Sequence, residues 1–374
     1  MSGRRLAFAL SLLSIACPQR RDEPTPTRAE PSTSPTIASA IASKPSAVPS
    51  SINVLPAGVV AATYAAMGTR IEMRVWTDRE VAAKAAMDDA FTEIKRIEDM
   101  MTTWKDTSEV SKINAAAGGA PTPISPELVE VLQGARSIHD ASSGVFDITF
   151  YAMHGLWKFD QDLVANVPTD AQIAERLPFV NGSLVEVDAE KRTARLGKKG
   201  MMINLGGIAK GYAVDKATAV LAKHGFTSVM VQAGGDLLVK GRKGSEPWRV
   251  GIRDPRGPDG DYFALAPITD AAFSTAGDYE RSFIKDGVRY HHIIDPRTGK
   301  PATACRSVTI FAPDALTADE LDDAVFILGP EKGLPLVETR EGVGAVIVDK
   351  DNKVHVSKRL AGIVQFVHPP TDGI

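Results

Sequence analysis

The chain has 374 residues, a near-neutral balance of 43 Lys and Arg against 46 Asp and Glu, and two cysteines, Cys17 and Cys305. That balance excludes the basic footprint of a nucleic-acid-binding protein. So few thiols exclude a disulfide-built scaffold, and the length suffices for one large domain or two lobes around a sizeable core.

The first 17 residues carry Arg4 and Arg5, then an apolar run from Leu6 to Ala16, then Cys17. A basic start with an apolar run too short to span a bilayer reads as an export signal. A cysteine directly after small residues resembles a bacterial lipoprotein signal, with Ser14 where leucine is usual. The expectation is an exported lipoprotein held to the membrane through lipidated Cys17 and facing the periplasm. An ordinary cleaved signal is the alternative. Residues 18–58 are rich in Pro, Ser, Thr and Ala and poor in large apolar residues. Such a segment buries too little surface to offset its ordering entropy, so a disordered tether is expected. A globular body is expected over 59–368, and no later stretch approaches the roughly 20 apolar residues of a membrane span.

In chain order, Arg70–Trp76 alternates polar and apolar as a half-buried strand does. Asp78 is placed to cap a helix whose Met87, Phe91, Ile94, Ile97 and Met101 fall at helical spacing. Met67 before the strand and Trp104 after the helix read, as large apolar residues, as core packing. Ser125-Pro126 opens a second helix with a capping residue and a proline at its first position. Its apolar stripe is Leu128, Val131, Leu132, Ala135 and Ile138. Asp147, between apolar residues of Val145–Thr149, must find a partner if buried, either a backbone N–H or a ligand. Residues 159–200 read as a polar surface excursion ending in a hairpin.

The central stretch is Ile203-Asn-Leu-Gly-Gly-Ile-Ala-Lys-Gly-Tyr-Ala-Val-Asp215. Met201–Leu205 reads as a strand end, Gly206-Gly207 as a tight turn, and 209–224 as a helix stopped by Gly225. A glycine turn feeding a helix N-terminus suits a phosphate, and Lys210 adds a full charge there. The Walker A and dinucleotide fingerprints are both absent. Strands are expected at 227–231 and 236–240 around Ala233-Gly-Gly235, and at Trp248–Ile252. Thr317 and Glu320 fit a capping box. Asp319 and Asp323 then share one helix face with Asp322 beside them, an unfavourable grouping unless something positive lies between. Hard oxygen ligands of this kind suit Mg²⁺ beside substrate phosphates. Interleaved helices and strands without a βαβ rhythm predict an α+β fold with mixed or antiparallel sheets.

Eight strings in order resemble the ApbE family of flavin transferases. They are MGT at 67–69, SEVSKIN ending at Asn114, GVFDIT at 144–149, INLGGIAKGYAVD at 203–215 and QAGGD at 232–236. STAGDYERSF at 274–283, HHIIDPRTG at 291–299 and ADELDDAVFILGPEKG at 318–333 complete the set. The resemblance implies a two-lobed body with FAD in the cleft and Mg²⁺-dependent transfer of FMN from FAD to a threonine of an acceptor protein, releasing AMP. The acceptor would be a membrane redox subunit carrying a short threonine motif. It implies Met67, Trp104, Phe146, Asp147, Asn204, Lys210 and Ile293 as FAD contacts. Asp319, Asp323 and the carbonyl of Gly207 would be metal ligands, with His292 as the acid/base group. Asn204 and Asp323 depart from the family's usual Asp and Thr. The same pocket also suits a hydrolase that splits FAD into FMN and AMP, or a flavin-binding lipoprotein without catalysis.

Overall fold

The computed structural model describes residues 58–159 and 166–374. The expected export signal, Cys17 and nearly all of the tether lie outside the described residues. The body is built on one eight-stranded sheet, antiparallel at every pairing. Its order is Val59–Ala66, Thr69–Trp76, Val229–Ala233, Asp236–Lys240, Ala271–Gly277, Cys305–Ala312, Gly344–Asp349 and Val354–Val356.

Period-two alternation gives the sheet two buried faces. Val229, Val231, Leu238, Ala272 and Ile310 face a helical layer. Their neighbours Met230, Leu237, Val239, Phe273 and Phe311 face a second core. That second core is closed by a small sheet of Trp248–Arg253, Tyr262–Ile268 and Gln365–Phe366. The α+β expectation holds, with the two cores lying on opposite faces of one sheet. The Trp248 strand belongs to the small sheet rather than beside the 229–240 hairpin.

The helical layer holds α1 (Glu80–Met101), α2 (Glu109–Ala115), α3 (Pro126–Ala141), α4 (Asp170–Arg176), α5 (Ala209–Lys223) and α6 (Ala315–Glu338). The α1 stripe is buried as expected except for Phe91, which is half-buried and stacks on Tyr64 at 4.4 Å. Asp78 does not cap α1, because Arg79 holds the cap position without a side-chain bond; Thr77 Oγ1 takes the Arg79 N–H instead. Ser125 caps α3 by accepting the Leu128 N–H. The expected capping box on α6 is absent. Asp314, three residues earlier, caps by accepting the Thr317 N–H, and Glu320 is buried within the helix. α6 breaks at Gly329, where φ is 72°, and Pro330 starts the second segment. Among the described residues no helix is long and apolar enough to cross a membrane.

One tether that seats the site joins helix to helix. Asp215 on α5 accepts the Ala315 and Leu316 N–H groups, so one helix caps the next. The chain end is tied down as well: Thr371 donates through its N–H and hydroxyl to Asp254. Asn352 donates to the Pro370 carbonyl.

Candidate active site

The site forms where the 204–207 turn, the first half of α6 and the Gly234-Gly235 turn meet. Met201–Leu205 is extended but joins no ladder. Asn114 of α2 replaces a strand partner, donating to the Ile203 carbonyl at 2.9 Å and accepting the Ile203 N–H at 2.7 Å. Asn204 Oδ1 accepts the Gly206 N–H at 2.7 Å, which forms the turn, and its amide nitrogen reaches Thr103 Oγ1 at 3.4 Å. A side chain at Gly207 would put a Cβ 2.8 Å from Asp323 Oδ2 and 3.4 Å from the Phe146 ring. The Asp323 carboxylate and the Phe146 ring therefore both close on Gly207. At Gly211 a Cβ would stand 2.2 Å from the Ala315 carbonyl, so only glycine lets α5 and α6 approach this closely.

That approach brings Lys210 into a nest of carboxylates. Its ammonium lies 2.7 Å from Asp236 Oδ2 and 3.0 Å from Asp319 Oδ1. The Gly211 N–H donates to Asp319 Oδ2 at 2.8 Å. Ser274 Oγ lies 2.5 Å from Asp236 Oδ1 and 2.6 Å from Asp322 Oδ2. A hydroxyl has one proton, so two contacts this short require one of the carboxyls to be protonated and to donate to Oγ. Burial, then the charges of Asp323, Asp319 and Asp236, push Asp322 well above the carboxylate range. Burial first, then Asp236, raises Asp319 as well, and burial raises Asp323. Burial alone would strip the Lys210 proton, but Asp236, Asp319 and Asp322 outweigh it and hold the ammonium well above the ordinary lysine range.

Four acidic side chains thus gather around one ammonium, and the Asp323 carboxyl has no hydrogen-bond partner among the described residues. Three of them, Asp236, Asp319 and Asp322, bring oxygens within 4.8 Å of one another. Hard donors with surplus negative charge, buried away from water, fit Mg²⁺.

His292 follows the hairpin of Ser282–Lys285 and Val288–His291, and its N–H donates to the Arg281 carbonyl at 3.1 Å. Nδ1 is enclosed without a partner. Burial, then the nearby charges of His291, Arg281 and Lys210, lower its pKa to about 3, so the ring is neutral at physiological pH. The preceding histidine is structural: His291 is buried, with Nε2 against the Ala302 carbonyl at 2.8 Å. Arg281 also approaches the Met67-Gly68 turn, its guanidinium 3.1 Å from where a Gly68 Cβ would stand.

The sequence-expected residues divide as follows. Gly207, Lys210, Asp319, Asp323 and Phe146 come together, with Asn204 forming their turn. Lys210 is engaged by carboxylates rather than left free at the helix N-terminus. Ile293 is buried beside His292. The core-packing expectation fails for Trp104, which is 83% exposed, and Met67 is half-buried in a left-handed turn with φ 53°. Asp147 finds local donors, the Thr149 N–H and hydroxyl and the Gly182 N–H. Sequence reasoning gave no role to Asp236, Ser274 or Gly211. Their signals were an acid placed between a glycine pair and an apolar strand, a serine inside an apolar strand, and a glycine inside a helix. Cys305 is a buried free thiol, its pKa pushed up to about 12 by burial.

The ApbE family model matches residues 67–347. The chain belongs to the ApbE family. Among curated proteins similar to it is the FAD:protein FMN transferase of Treponema pallidum (strain Nichols), 36% identical over 317 residues, covering 80% of this chain and 86% of that one. That of Klebsiella pneumoniae (strain 342) is 30% identical over 292 residues, covering 78% and 89%. The ApbE protein of Thermotoga maritima superposes with a TM-score of 0.75 at 31% identity, covering 82% of this chain and 99% of that one. The flavin transferase ApbE from Vibrio cholerae gives 0.72 at 26% identity, covering 82% and 100%.

Proposed function

We propose that this chain transfers FMN from FAD to a threonine hydroxyl of an acceptor protein, with Mg²⁺ and release of AMP. The nest of Asp236, Asp319, Asp322 and Asp323 around Lys210 carries the reading, because a protein that only bound flavin would have no use for surplus buried charge. Curated relatives matched over 86% and 89% of their own length are FAD:protein FMN transferases, which supports the same activity.

Asp319, Asp323 and the Gly207 carbonyl are the ligands proposed for Mg²⁺, which when bound neutralises charge on phosphate oxygens. The protein supplies the rest. Phe146, Asn204 and the exposed Trp104 line the approach to the turn, where FAD would lie. Lys210 fixes Asp319 and Asp236 and keeps a positive charge beside the phosphates. The acceptor hydroxyl attacks the FMN phosphorus, and the bond from that phosphorus to the bridging oxygen breaks. AMP leaves with the oxygen. His292 takes the hydroxyl proton. In the free protein it is a weak base, but the two phosphate charges of FAD oppose those of Arg281 and Lys210 and raise its basicity where the proton is released.

Export and lipidation at Cys17 belong to the same proposal, resting on the N-terminal sequence. They place the site on a tether beside membrane-bound acceptors. The test is incubation with FAD, Mg²⁺ and an acceptor, read by mass spectrometry. One added FMN per acceptor supports transfer, whereas FMN and AMP beside an unmodified acceptor indicate hydrolysis.

A further inference from the structure

The hairpin that leads into His292 is built as an open edge. Asp286 and Gly287 both have positive φ, 52° and 73°, which makes a two-residue turn of the type that favours a tight hairpin. The register pairs Lys285 with Val288, Ile284 with Arg289, Phe283 with Tyr290 and Ser282 with His291. The His292 N–H to Arg281 carbonyl bond continues this ladder and fixes its phase. Residues 281, 283 and 285 bond inward to their partners. Ser282 and Ile284 therefore turn their N–H and C=O groups outward.

Among the described residues no backbone bond meets those outward groups, and the two strands form a sheet of their own. The strand Ser282–Lys285 is open along its length, with Ile284 53% exposed, whereas the partner strand ends in buried His291. The hairpin is not loose. Phe283 stacks on Tyr290 at 5.3 Å, Tyr290 on Trp157 at 5.9 Å, and Phe283 on Phe159 at 5.9 Å. Trp157 is itself pinned, donating to the Gly299 carbonyl at 2.8 Å. A rigid, unpaired and partly apolar edge invites another chain.

Resting on the transferase reading, we propose that this edge docks the acceptor polypeptide, which adds to Ser282–Lys285 as an extended strand. The direction of the edge argues for this occupant. A strand laid along it passes Ile284 and Ser282 and arrives at Arg281, whose carbonyl holds the His292 N–H and whose guanidinium approaches the Met67-Gly68 turn. Main-chain pairing there brings an acceptor residue to the rim of the site without requiring a particular side-chain sequence, beyond a segment able to lie extended and to cover Ile284.

The test uses Ile284→Pro, which removes one outward N–H while leaving the inward bonds of 283 and 285, against Ile284→Thr, which keeps the N–H. With wild type modifying the acceptor, Ile284→Pro is expected to raise KM for the acceptor about tenfold, the worth of one or two net hydrogen bonds, with kcat little changed. Ile284→Thr is expected to stay near wild type. FAD binding, followed by flavin fluorescence without acceptor, should be the same in all three. A wild-type KM in Ile284→Pro overturns the proposal, as does an equal loss in both variants. Loss of self-association in Ile284→Pro with an unchanged acceptor KM would assign the edge to a second copy of this chain and overturn it too. Failure of wild type to modify any acceptor would instead count against the transferase reading.

Discussion

Two buried acidic groups in this molecule behave in opposite ways. Asp254 is fully buried, yet accepts from the Arg256, Gly257 and Thr371 N–H groups and the Thr371 hydroxyl. Burial pushes its pKa up, but those donors hold it below the usual carboxylate range. Asp319, as deeply buried, has one backbone donor and one shared ammonium, with Asp236 and Asp322 crowded beside it, and its pKa is raised. Asp261 and His368 stand near Asp254 with ligand-type atoms within 4.8 Å, so proximity alone does not distinguish the two places. What distinguishes them is satisfaction: donors surround Asp254, and acids surround Asp319. The first is a structural clamp on the chain end, and the second has charge left over for a cation.

Mutations should separate them sharply. Asp319→Ala is expected to lower FMN transfer by on the order of a thousandfold, as loss of a charge-stabilising group does, with the fold retained; steady-state assay with an acceptor measures it. Asp254→Ala should leave kcat near wild type but cost about 2–4 kcal/mol of stability, because several donors are orphaned, and thermal unfolding measures that. His292→Gln keeps the ring's approximate size and removes its basicity. A loss of about 10²–10⁴-fold in transfer with unchanged FAD binding is expected, and loss of FAD binding would remove its assigned role.

The comparison also has a pH signature. Asp319, Asp322 and Asp323 have raised folded pKa values. The folded state therefore holds more protons than the unfolded chain above the ordinary carboxylate range of about 4. The stability they contribute is full below that range and is lost as pH rises through their folded values. His292, with its folded pKa lowered to about 3, acts in the opposite sense: its contribution is lost as pH falls from the ordinary histidine range of about 6.5. In EDTA, Asp319→Asn should flatten the loss of melting temperature on raising pH, and Mg²⁺ should stabilise wild type more than this variant. The smallest effect is expected from Asp323→Thr, which should keep activity and shift its Mg²⁺ dependence. Complete inactivity at saturating Mg²⁺ would remove Asp323 from the ligand set.

Much of the architecture was legible because it is periodic. The α1 and α3 stripes and the strand alternation at 70–76 are local patterns that packing confirmed. What the sequence hid was the result of tertiary choice. Either Thr317 or Asp314 could cap α6, and only the fit of α6 against Asp215 selects the earlier start. Met201–Leu205 has a strand's composition but finds Asn114 where a strand would be. Val59–Ala66, small and alanine-rich, gave little strand signal and is fixed by its neighbour. Trp104 looked like core by size and proved to be surface. At the site, ordered motifs located Gly207, Asp319 and Asp323. Asp236 and Ser274 became meaningful only once two strands had carried them to Lys210.

The central claim is that the Asp319 nest needs a divalent cation to move FMN. The most direct test incubates the protein with FAD and an acceptor, with Mg²⁺ or with EDTA, and weighs the acceptor. The account predicts one added FMN with Mg²⁺, none with EDTA, and modification by Asp319→Ala in Mg²⁺ slowed by on the order of a thousandfold. Equal modification in EDTA, or in Asp319→Ala, would contradict it.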